Sequence, residues 1–294
     1  MMTVVDVHVH VFERIAGIKD GAPITSTEHG RVKIGNRVVQ FLPPSFEKSN
    51  STVETLIAHM DWCGVDKALL VPNVLYGYHN EYVRQACDLY GDRLRAIALV
   101  DVLKGAEARE DLIKLVTYSG FRGLKIETES AFQCQPGEAL DSPNLEPIWS
   151  CCNDLELPVM IHLSRPQDRR SLKNLVMRYR RIRFIICHLG NPPYDDWVDI
   201  VELALRKNVW MELSAMPAAF PEDEYPYVRA CEYIMEAYRR LGPEKLMWGS
   251  DYPGILAKCT YQQSLEMFRK GCFSIPEAHK DLILGQNALN MFWS

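Results

Sequence analysis

The sequence lacks several features that would place a protein in a special class. No apolar run approaches the roughly 18 residues of a membrane span, and no block of Lys and Arg favours nucleic acid or an anionic membrane surface. The nine cysteines are scattered without a C-x-x-C pair, which is typical of reduced thiols rather than a disulfide framework. A strand pattern begins almost at the N-terminus, so we expect no signal peptide. These absences predict a cytoplasmic protein whose partner is neither nucleic acid nor membrane.

What the chain contains is ordinary globular composition. Of its 294 residues, 47% are hydrophobic and 24% are charged, with a net charge of −5, so a sizeable core can form. This length fits two domains or one α/β barrel, since barrels of about 250 residues are common. No internal repeat, low-complexity segment or linker divides the chain, and we therefore expect residues 1–294 to form a single domain.

Residues 3–10, Thr-Val-Val-Asp-Val-His-Val-His, are the stretch around which the chain is organised. Their alternation of β-branched and polar residues predicts a strand. Because strand side chains alternate between faces, Asp6, His8 and His10 should share one face. Two imidazoles on one face can converge on a cation, and imidazole nitrogen suits zinc and other first-row metals. The alternative is a polar face with two hydrogen-bonded histidines.

Seven more predicted strands follow, and helical patterns separate them. The strands cover 67–72, 94–100, 121–127, 157–162, 183–188, 209–214 and 246–251. The helices cover 51–63, 79–90, 105–118, 142–155, 167–180, 195–206, 224–240, 260–271 and 276–292. Residues 12–50 are predicted to be irregular, apart from a hairpin over 31–41 that turns at Gly35-Asn36.

Eight strand–helix units in series predict an α/β fold of the (β/α)8 TIM barrel type. A doubly wound open sheet is the rival architecture. Such a sheet usually carries a glycine-rich phosphate turn after its first strand, and this chain has His10-Val-Phe-Glu13 there.

Residues with metal-binding or acid–base chemistry gather at the carboxyl ends of the predicted strands. His8 and His10 end the first strand, and the later strand ends carry His162, His188 and Asp251. Because the carboxyl ends of barrel strands meet at the face where the chemistry takes place, we expect these side chains to converge. We expect the remaining histidines on helices or on the surface, namely His59, His79 and His279. His29 is the exception, because its loop is long enough to reach the mouth of the barrel.

Together these motifs resemble the amidohydrolase superfamily, in particular the amidohydrolase-related branch that includes aminocarboxymuconate-semialdehyde decarboxylase and small lactonases. The matching segments run through nearly the whole chain: Val5-Asp-Val-His-Val-His10, Gly123-Leu-Lys125, Pro158-Val-Met-Ile-His162, Cys187-His-Leu-Gly190, Gly249-Ser-Asp-Tyr-Pro253 and Ile283-Leu-Gly-Gln-Asn-Ala288. The resemblance implies one divalent metal ion, zinc first and manganese as the alternative, held by His8, His10, His162 and Asp251. It also implies that Asp251 takes a proton from metal-activated water, while His188 acts as an electrophile or general acid, or ligates a second metal.

Three more residues near the strand ends are candidates for substrate binding. At the position of Lys125 some superfamily members carry a carboxylated lysine between two metals. We favour an ion pair of Lys125 with Glu127 or with a substrate carboxylate. We therefore expect one metal ion and an unmodified lysine. Arg165 could bind a substrate anion bidentately or be a solvated loop arginine. Asn191 could contact substrate or brace its loop.

The sequence therefore predicts a metal-dependent hydrolase of a small organic ester, lactone or amide, which could form a homo-oligomer. The alternative is non-oxidative decarboxylation of an unsaturated or aromatic acid with the same metal ligands. The compact length and His188-Leu-Gly-Asn-Pro192 resemble the hydrolases more. A third alternative is an inactive barrel that serves as a binding protein, but loss of function would remove the need for costly buried polar groups.

Overall fold

The computed structural model describes residues 2–19, 21–128 and 139–294. The strands in these ranges are β1 (Val5–Val9), β2 (Ala16–Lys19), β3 (Ala22–Ser26), β4 (Arg31–Ile34), β5 (Arg37–Gln40), β6 (Lys67–Leu70), β7 (Leu94–Ala96), β8 (Leu124–Glu127), β9 (Pro158–His162), β10 (Arg183–Ile186), β11 (Val209–Glu212) and β12 (Leu246–Met247). The α-helices are α1 (Val53–Cys63), α2 (Asn80–Leu89), α3 (Ala106–Ser119), α4 (Glu146–Asp154), α5 (Pro166–Arg178), α6 (Trp197–Leu203), α7 (Met216–Ala219), α8 (Val228–Leu241), α9 (Tyr261–Glu266), α10 (Glu277–Asp281) and α11 (Asn287–Phe292).

Eight of these strands form two parallel sheets, and helices lie between successive strands. One sheet has the order β1-β6-β7, and the other has the order β12-β11-β10-β9-β8. This arrangement confirms an α/β fold built on parallel strands. The eighth predicted strand pairs as a strand only over Leu246–Met247. The last two predicted helices are longer than their α-helical parts, because π-helical turns cover Met267–Gly271 and Leu282–Gln286.

Apolar side chains of the parallel strands fill an interior cluster. It contains Val5, Val7, Leu69, Val71, Ile97, Met160, Ile185, Cys187 and Met247. Helix α11 adds Ala288, Met291 and Phe292 to this cluster. A second apolar layer packs the outer faces of the strands against the helices. The strands therefore carry apolar side chains on both faces, as expected for a parallel sheet with both faces covered.

The stretch between β1 and α1 forms a small antiparallel sheet, with the order β2-β3-β4-β5. The predicted hairpin is present, because Ile34 pairs with Arg37 across the turn at Gly35-Asn36. The prediction that residues 16–26 are irregular was wrong. They form β2 and β3, but these strands are short and carry Gly17 and Pro23, which weaken any strand pattern in the sequence.

The small sheet is joined at its base to the parallel strands. Phe12 and Ser51 form an antiparallel bridge, with N–H···O distances of 2.7 and 3.0 Å. Farther out, the amide of Ile18 donates to the carbonyl of Val74 at 3.1 Å. The sheet is therefore docked against the segment that follows β6.

Among the described residues, no helix combines the length and the apolar character needed to cross a bilayer.

Candidate metal centre

An irregularity in β1 determines which of its side chains reach the candidate metal centre, which lies at the carboxyl ends of β1 and β12. The pairing of β1 with β6 shifts register between Asp6 and Val9. Val5 and Val7 therefore pack in the interior cluster, whereas Val9 packs in the outer layer against the helices. A bulge of this kind breaks the two-residue alternation of a strand. The prediction that Asp6 shares a face with the histidines was wrong for this reason.

Asp6 instead holds β1 and the end of β12 together from the outer side. Its buried carboxylate accepts hydrogen bonds from the amides of His8 and Ser250, at 3.0 and 2.9 Å, and from the hydroxyl of Tyr261 at 2.8 Å. Burial raises the pKa of Asp6 to about 6, although these hydrogen bonds oppose the shift. The carboxylate thereby fixes the backbone that presents His8 and Asp251 to the centre.

Three predicted ligands meet at the carboxyl ends of β1 and β12. The Nε2 atom of His10 lies 3.1 Å from Asp251 Oδ1, and the Nε2 atom of His8 lies 3.8 Å from the same oxygen. Candidate ligand atoms of the three residues all lie within 4.8 Å of one another. Both histidines are buried, while Asp251 retains 26% side-chain exposure. The group is therefore compact and open on the side of the carboxylate.

The other two predicted histidines lie next to this group. The ring of His188 stacks on His8 with centroids 4.9 Å apart, and the ring of His162 meets His188 edge-on at 4.6 Å. His188 follows the end of β10 and has a left-handed backbone, with φ of 53°. Asp251 is also left-handed, with φ of 71°. Such conformations cost non-glycine residues energy and are concentrated at functional sites.

Hydrogen bonds orient each imidazole of the predicted metal ligands. The Nδ1 atom of His8 lies 3.0 Å from Glu212 Oε1, and the Nδ1 atom of His162 lies 2.9 Å from Glu127 Oε1. The Nδ1 atom of His10 contacts the carbonyl oxygen of Val71. Carboxylates and carbonyls only accept, so a neutral ring of His8 or His162 carries its proton on Nδ1 and its lone pair on Nε2. His10 faces acceptors at both nitrogens, the carbonyl of Val71 at Nδ1 and the carboxylate of Asp251 at Nε2. Metal-ligating histidines are held in this way in general.

Glu127 and Glu212 contact two of the predicted ligands, His162 and His8, and the sequence reasoning missed both contacts. Glu127 was considered only as a partner of Lys125, and Glu212 was not considered. Each ends a strand, β11 being otherwise apolar and β8 containing Lys125 as well, and both side chains are almost fully buried. A buried carboxylate at a strand end needs charged or hydrogen-bonding partners, and this was the signal available in the sequence.

The hydrogen bonds of Ser214 determine the tautomer of His188. The Ser214 hydroxyl donates to Glu212 Oε1 at 2.9 Å, so its oxygen accepts from His188 Nδ1 at 2.7 Å. The amide of His188 also donates to Glu212 at 2.7 Å. Burial, followed by the neighbouring His162, lowers the pKa of His188 to about 3. At neutral pH this ring is therefore uncharged and exposes an unprotonated Nε2.

The charge states of the group fit a divalent cation. Desolvation would raise the pKa of Asp251, but the hydrogen bond from His10 and the nearby imidazole of His188 hold it below its usual range. The pKa of His8 is lowered, chiefly by burial. Metal ligation requires neutral imidazoles and ionised carboxylates, and these pKa shifts favour the neutral ring of His8 and the ionised form of Asp251. A cluster of imidazole nitrogens with one carboxylate oxygen suits zinc and similar ions.

The three predicted substrate residues have partners within the protein. Lys125 is completely buried, and its Nζ donates to Cys187 Sγ at 3.3 Å and lies 4.0 Å from Glu127 Oε2. Arg165 forms two hydrogen bonds with the carboxylate of Asp168, at 2.6 and 2.8 Å. Asn191 donates to the carbonyl of Leu163 at 2.7 Å. His29, the exception among the remaining histidines, is exposed on the loop before β4.

Comparisons with known proteins agree with this architecture. The family model described as Amidohydrolase matches residues 5–292. L-fucono-1,5-lactonase of Burkholderia ambifaria is 27% identical over 204 residues, which are 65% of this chain and 66% of that protein. The chain thus spans slightly less than two thirds of the length of that relative.

Two solved structures illustrate the likeness in fold. A probable 2-pyrone-4,6-dicarboxylic acid hydrolase from Acinetobacter baumannii, with citric acid bound, matches with a TM-score of 0.75 and 22% identity, and each chain is covered completely. A dihydroxybenzoic acid decarboxylase from Polaromonas, with bound manganese and an inhibitor, matches with a TM-score of 0.64 and 16% identity. That match covers 82% of this chain and 85% of the other.

Proposed function

This chain belongs to the amidohydrolase family of enzymes, and we propose that it is a metal-dependent hydrolase of a small organic ester, lactone or amide. The observation that carries the proposal is the meeting of His8, His10 and Asp251 at the strand ends, with their ligand atoms within 4.8 Å. Each imidazole has its Nδ1 on an acceptor, and the Nε2 atoms of both rings face the carboxylate of Asp251. The likeness to a lactonase of Burkholderia ambifaria supports hydrolysis of a lactone or ester.

The proposal includes a closed (β/α)8 barrel formed by a single domain over residues 1–294. Closure would join β1 to the end of β12 and β7 to β8. Two parallel bridges support it, Val9 with Tyr252 and Ala98 with Leu124. Backbone hydrogen bonds at the same junctions also support it, from Asp251 to His8 at 2.9 Å and from Ala98 to Gly123 at 2.8 Å. In such a barrel the strand ends that carry the candidate ligands share one face.

We propose that His8, His10, His162 and Asp251 hold one divalent ion, with zinc first and manganese as the alternative. The manganese in the Polaromonas decarboxylase supports the second choice for a protein of this fold. When bound, the ion would polarise the substrate carbonyl and lower the pKa of a water molecule toward about 7. Lys125 stays unmodified in this proposal, because its ammonium group already contacts Cys187 and Glu127.

Acid–base chemistry in this proposal falls to Asp251 and His188. Asp251 is ionised and partly exposed, so it can accept a proton from the attacking water and return it to the leaving oxygen. The Nε2 atom of His188 is unprotonated in this tautomer, so it would accept a hydrogen bond or act as a ligand, and it would donate a proton only after gaining one. Arg165 and Asn191 remain proposed contacts to substrate at the rim.

The experiment that tests the function is a screen of lactones, simple esters, amides and aromatic acids against zinc- and manganese-loaded protein. Turnover of a lactone, ester or amide, with release of one acid group per molecule, is the expected result. Release of carbon dioxide from an aromatic acid would instead support the decarboxylase alternative, which uses the same ligands. Protein that binds metal but converts none of these compounds would contradict the proposed hydrolase.

We expect Glu212→Gln to weaken metal binding by about 10–100-fold, the usual effect of removing a partner that orients a ligand. The amide is a weaker acceptor for His8 and carries no charge. Dialysis against competing chelators measures the affinity, and thermal unfolding checks that the variant is folded. Glu202→Gln is the matched control, since Glu202 is exposed and pairs with Arg240. Equal affinity in the Glu212 variant and the control would remove Glu212 from the centre.

A further inference from the structure

The hydroxyl of Tyr76 is a polar group at the centre that the proposed mechanism does not yet use. The Tyr76 ring lies 4.9 Å from the His10 ring and stacks on Phe12 with centroids 4.4 Å apart. A Cβ atom built on Gly254 would lie 3.5 Å from the Tyr76 hydroxyl oxygen and 3.4 Å from Asp251 Oδ2. The hydroxyl and the carboxylate therefore border the same small space above Gly254, which has no side chain to fill it.

Within the described part of the chain, no hydrogen bond engages the Tyr76 hydroxyl. The residue is only 5% exposed. Its oxygen is not one of the polar atoms that are sealed from solvent without a partner, so a ligand in the space above Gly254 can reach it. Burial, followed by the charge of Asp251, raises the pKa of Tyr76 well above 10. A phenolic hydroxyl carries its proton near pH 7, so this group can donate a hydrogen bond there.

The small antiparallel sheet holds Tyr76 in this place. The amide of Ala16 in β2 donates to the carbonyl of Tyr76 at 2.8 Å. The neighbouring Gly17 approaches so closely that a Cβ there would lie 2.1 Å from the carbonyl oxygen of Val74. His79 also contacts the carbonyl of Tyr76, at 2.9 Å. The backbone of Tyr76 is thus fixed from two directions, which is the preorganisation that a catalytic donor requires.

We propose that Tyr76 is a catalytic residue whose hydroxyl donates a hydrogen bond to the substrate oxygen on which negative charge develops. The inference rests on the hydrolysis proposed above. Water adds to the carbonyl carbon and gives its proton to Asp251, while the carbonyl electron pair moves onto the oxygen that Tyr76 contacts. When that pair returns, the bond to the leaving oxygen breaks, and the leaving oxygen takes the proton from Asp251.

Tyr76→Phe tests this role, because it removes the hydroxyl and keeps the ring against His10 and Phe12. We expect kcat/KM to fall by about 10²-fold, as for other donors to a developing oxyanion, with unchanged metal content and melting temperature. Tyr179→Phe is the matched control, since Tyr179 is 6% exposed and its hydroxyl bonds Glu146. Unchanged kcat/KM, or a loss of metal that accounts for the lower activity, would overturn the role of Tyr76.

A binding measurement separates this role from the choice of substrate. A methylphosphonate monoester carries the charged tetrahedral centre of the addition intermediate, and calorimetry on zinc-loaded protein measures its affinity. We expect Tyr76→Phe to bind it at least about tenfold more weakly than the wild type, the order of a lost hydrogen bond to a charged group. Equal affinities, or no binding to the wild type, would overturn the proposal. Tyr76-dependent binding without turnover of any lactone, ester or amide would leave Tyr76 as the donor and contradict the proposed reaction.

Discussion

Replacing Asp251 by asparagine is expected to lower turnover by about 10²–10⁴-fold, the usual worth of a positioned general base. Asparagine keeps the shape of the side chain and one oxygen that can contact the metal, but it cannot accept a proton. It also tolerates the left-handed backbone of this position, where φ is 71°. Steady-state kinetics on protein with its metal content measured would separate lost chemistry from lost metal, which we expect to be largely retained.

The competing explanation is that Asp251 serves only to hold the turn before Tyr252-Pro253. In that case Asp251→Asn would lower stability and leave turnover per folded molecule unchanged. Asp101→Asn is a suitable control, because Asp101 caps a short turn through its bond from Leu103 at 3.2 Å. Near-wild-type turnover in a folded, metal-loaded Asp251→Asn protein would exclude this residue as the base.

The double variant His8→Ala, His10→Ala is expected to lose its metal and its activity together. We expect the wild-type protein to hold about one equivalent of a transition metal, because a four-ligand site of this kind binds one ion. Removing two imidazoles leaves His162 and Asp251, which are too few ligands to retain it. Elemental analysis of purified protein by mass spectrometry gives the metal content, and the same samples give the activity.

A second double variant, His29→Ala, His279→Ala, provides the control for the number of imidazoles removed. His29 is exposed, and His279 contacts Tyr238 at 2.6 Å, away from the centre. This protein should keep its metal. Full metal occupancy in the His8, His10 variant would show that the ion binds elsewhere and would remove the site assignment.

The family and the class of fold could be predicted from the sequence. Alternating strand and helix patterns indicate the fold class, and His8, His162 and Asp251 mark strand ends by chemistry that is unusual in an apolar core. The match of the family model to residues 5–292 confirms the predicted family. The short-range sequence pattern was sufficient to predict the fold class, because each strand–helix unit contains its own hydrophobic periodicity.

The arrangement around the ligands could not be predicted, because it depends on contacts between distant parts of the chain. The bulge in β1 turns the Asp6 side chain away from the His8 imidazole. This orientation is explained only by the pairing of β1 with β6 and by the contact of Asp6 with Tyr261. The contact of Glu212 with His8 joins residues 204 positions apart. Tyr76 lies in an apolar segment, and its place beside His10 depends on a sheet whose strands leave a weak pattern in the sequence.

The bridge between Phe12 and Ser51 has a consequence for how such proteins diversify. The segment between these residues begins and ends at adjacent positions beside the parallel sheets. A longer or shorter segment could therefore replace it at little cost in chain entropy. Insertions are tolerated best where the two ends of a segment lie side by side. All candidate metal ligands lie outside this excursion, yet its first strand holds Tyr76 at the centre. Substrate preference could therefore change when this one contiguous segment is replaced, while the metal ligands stay the same.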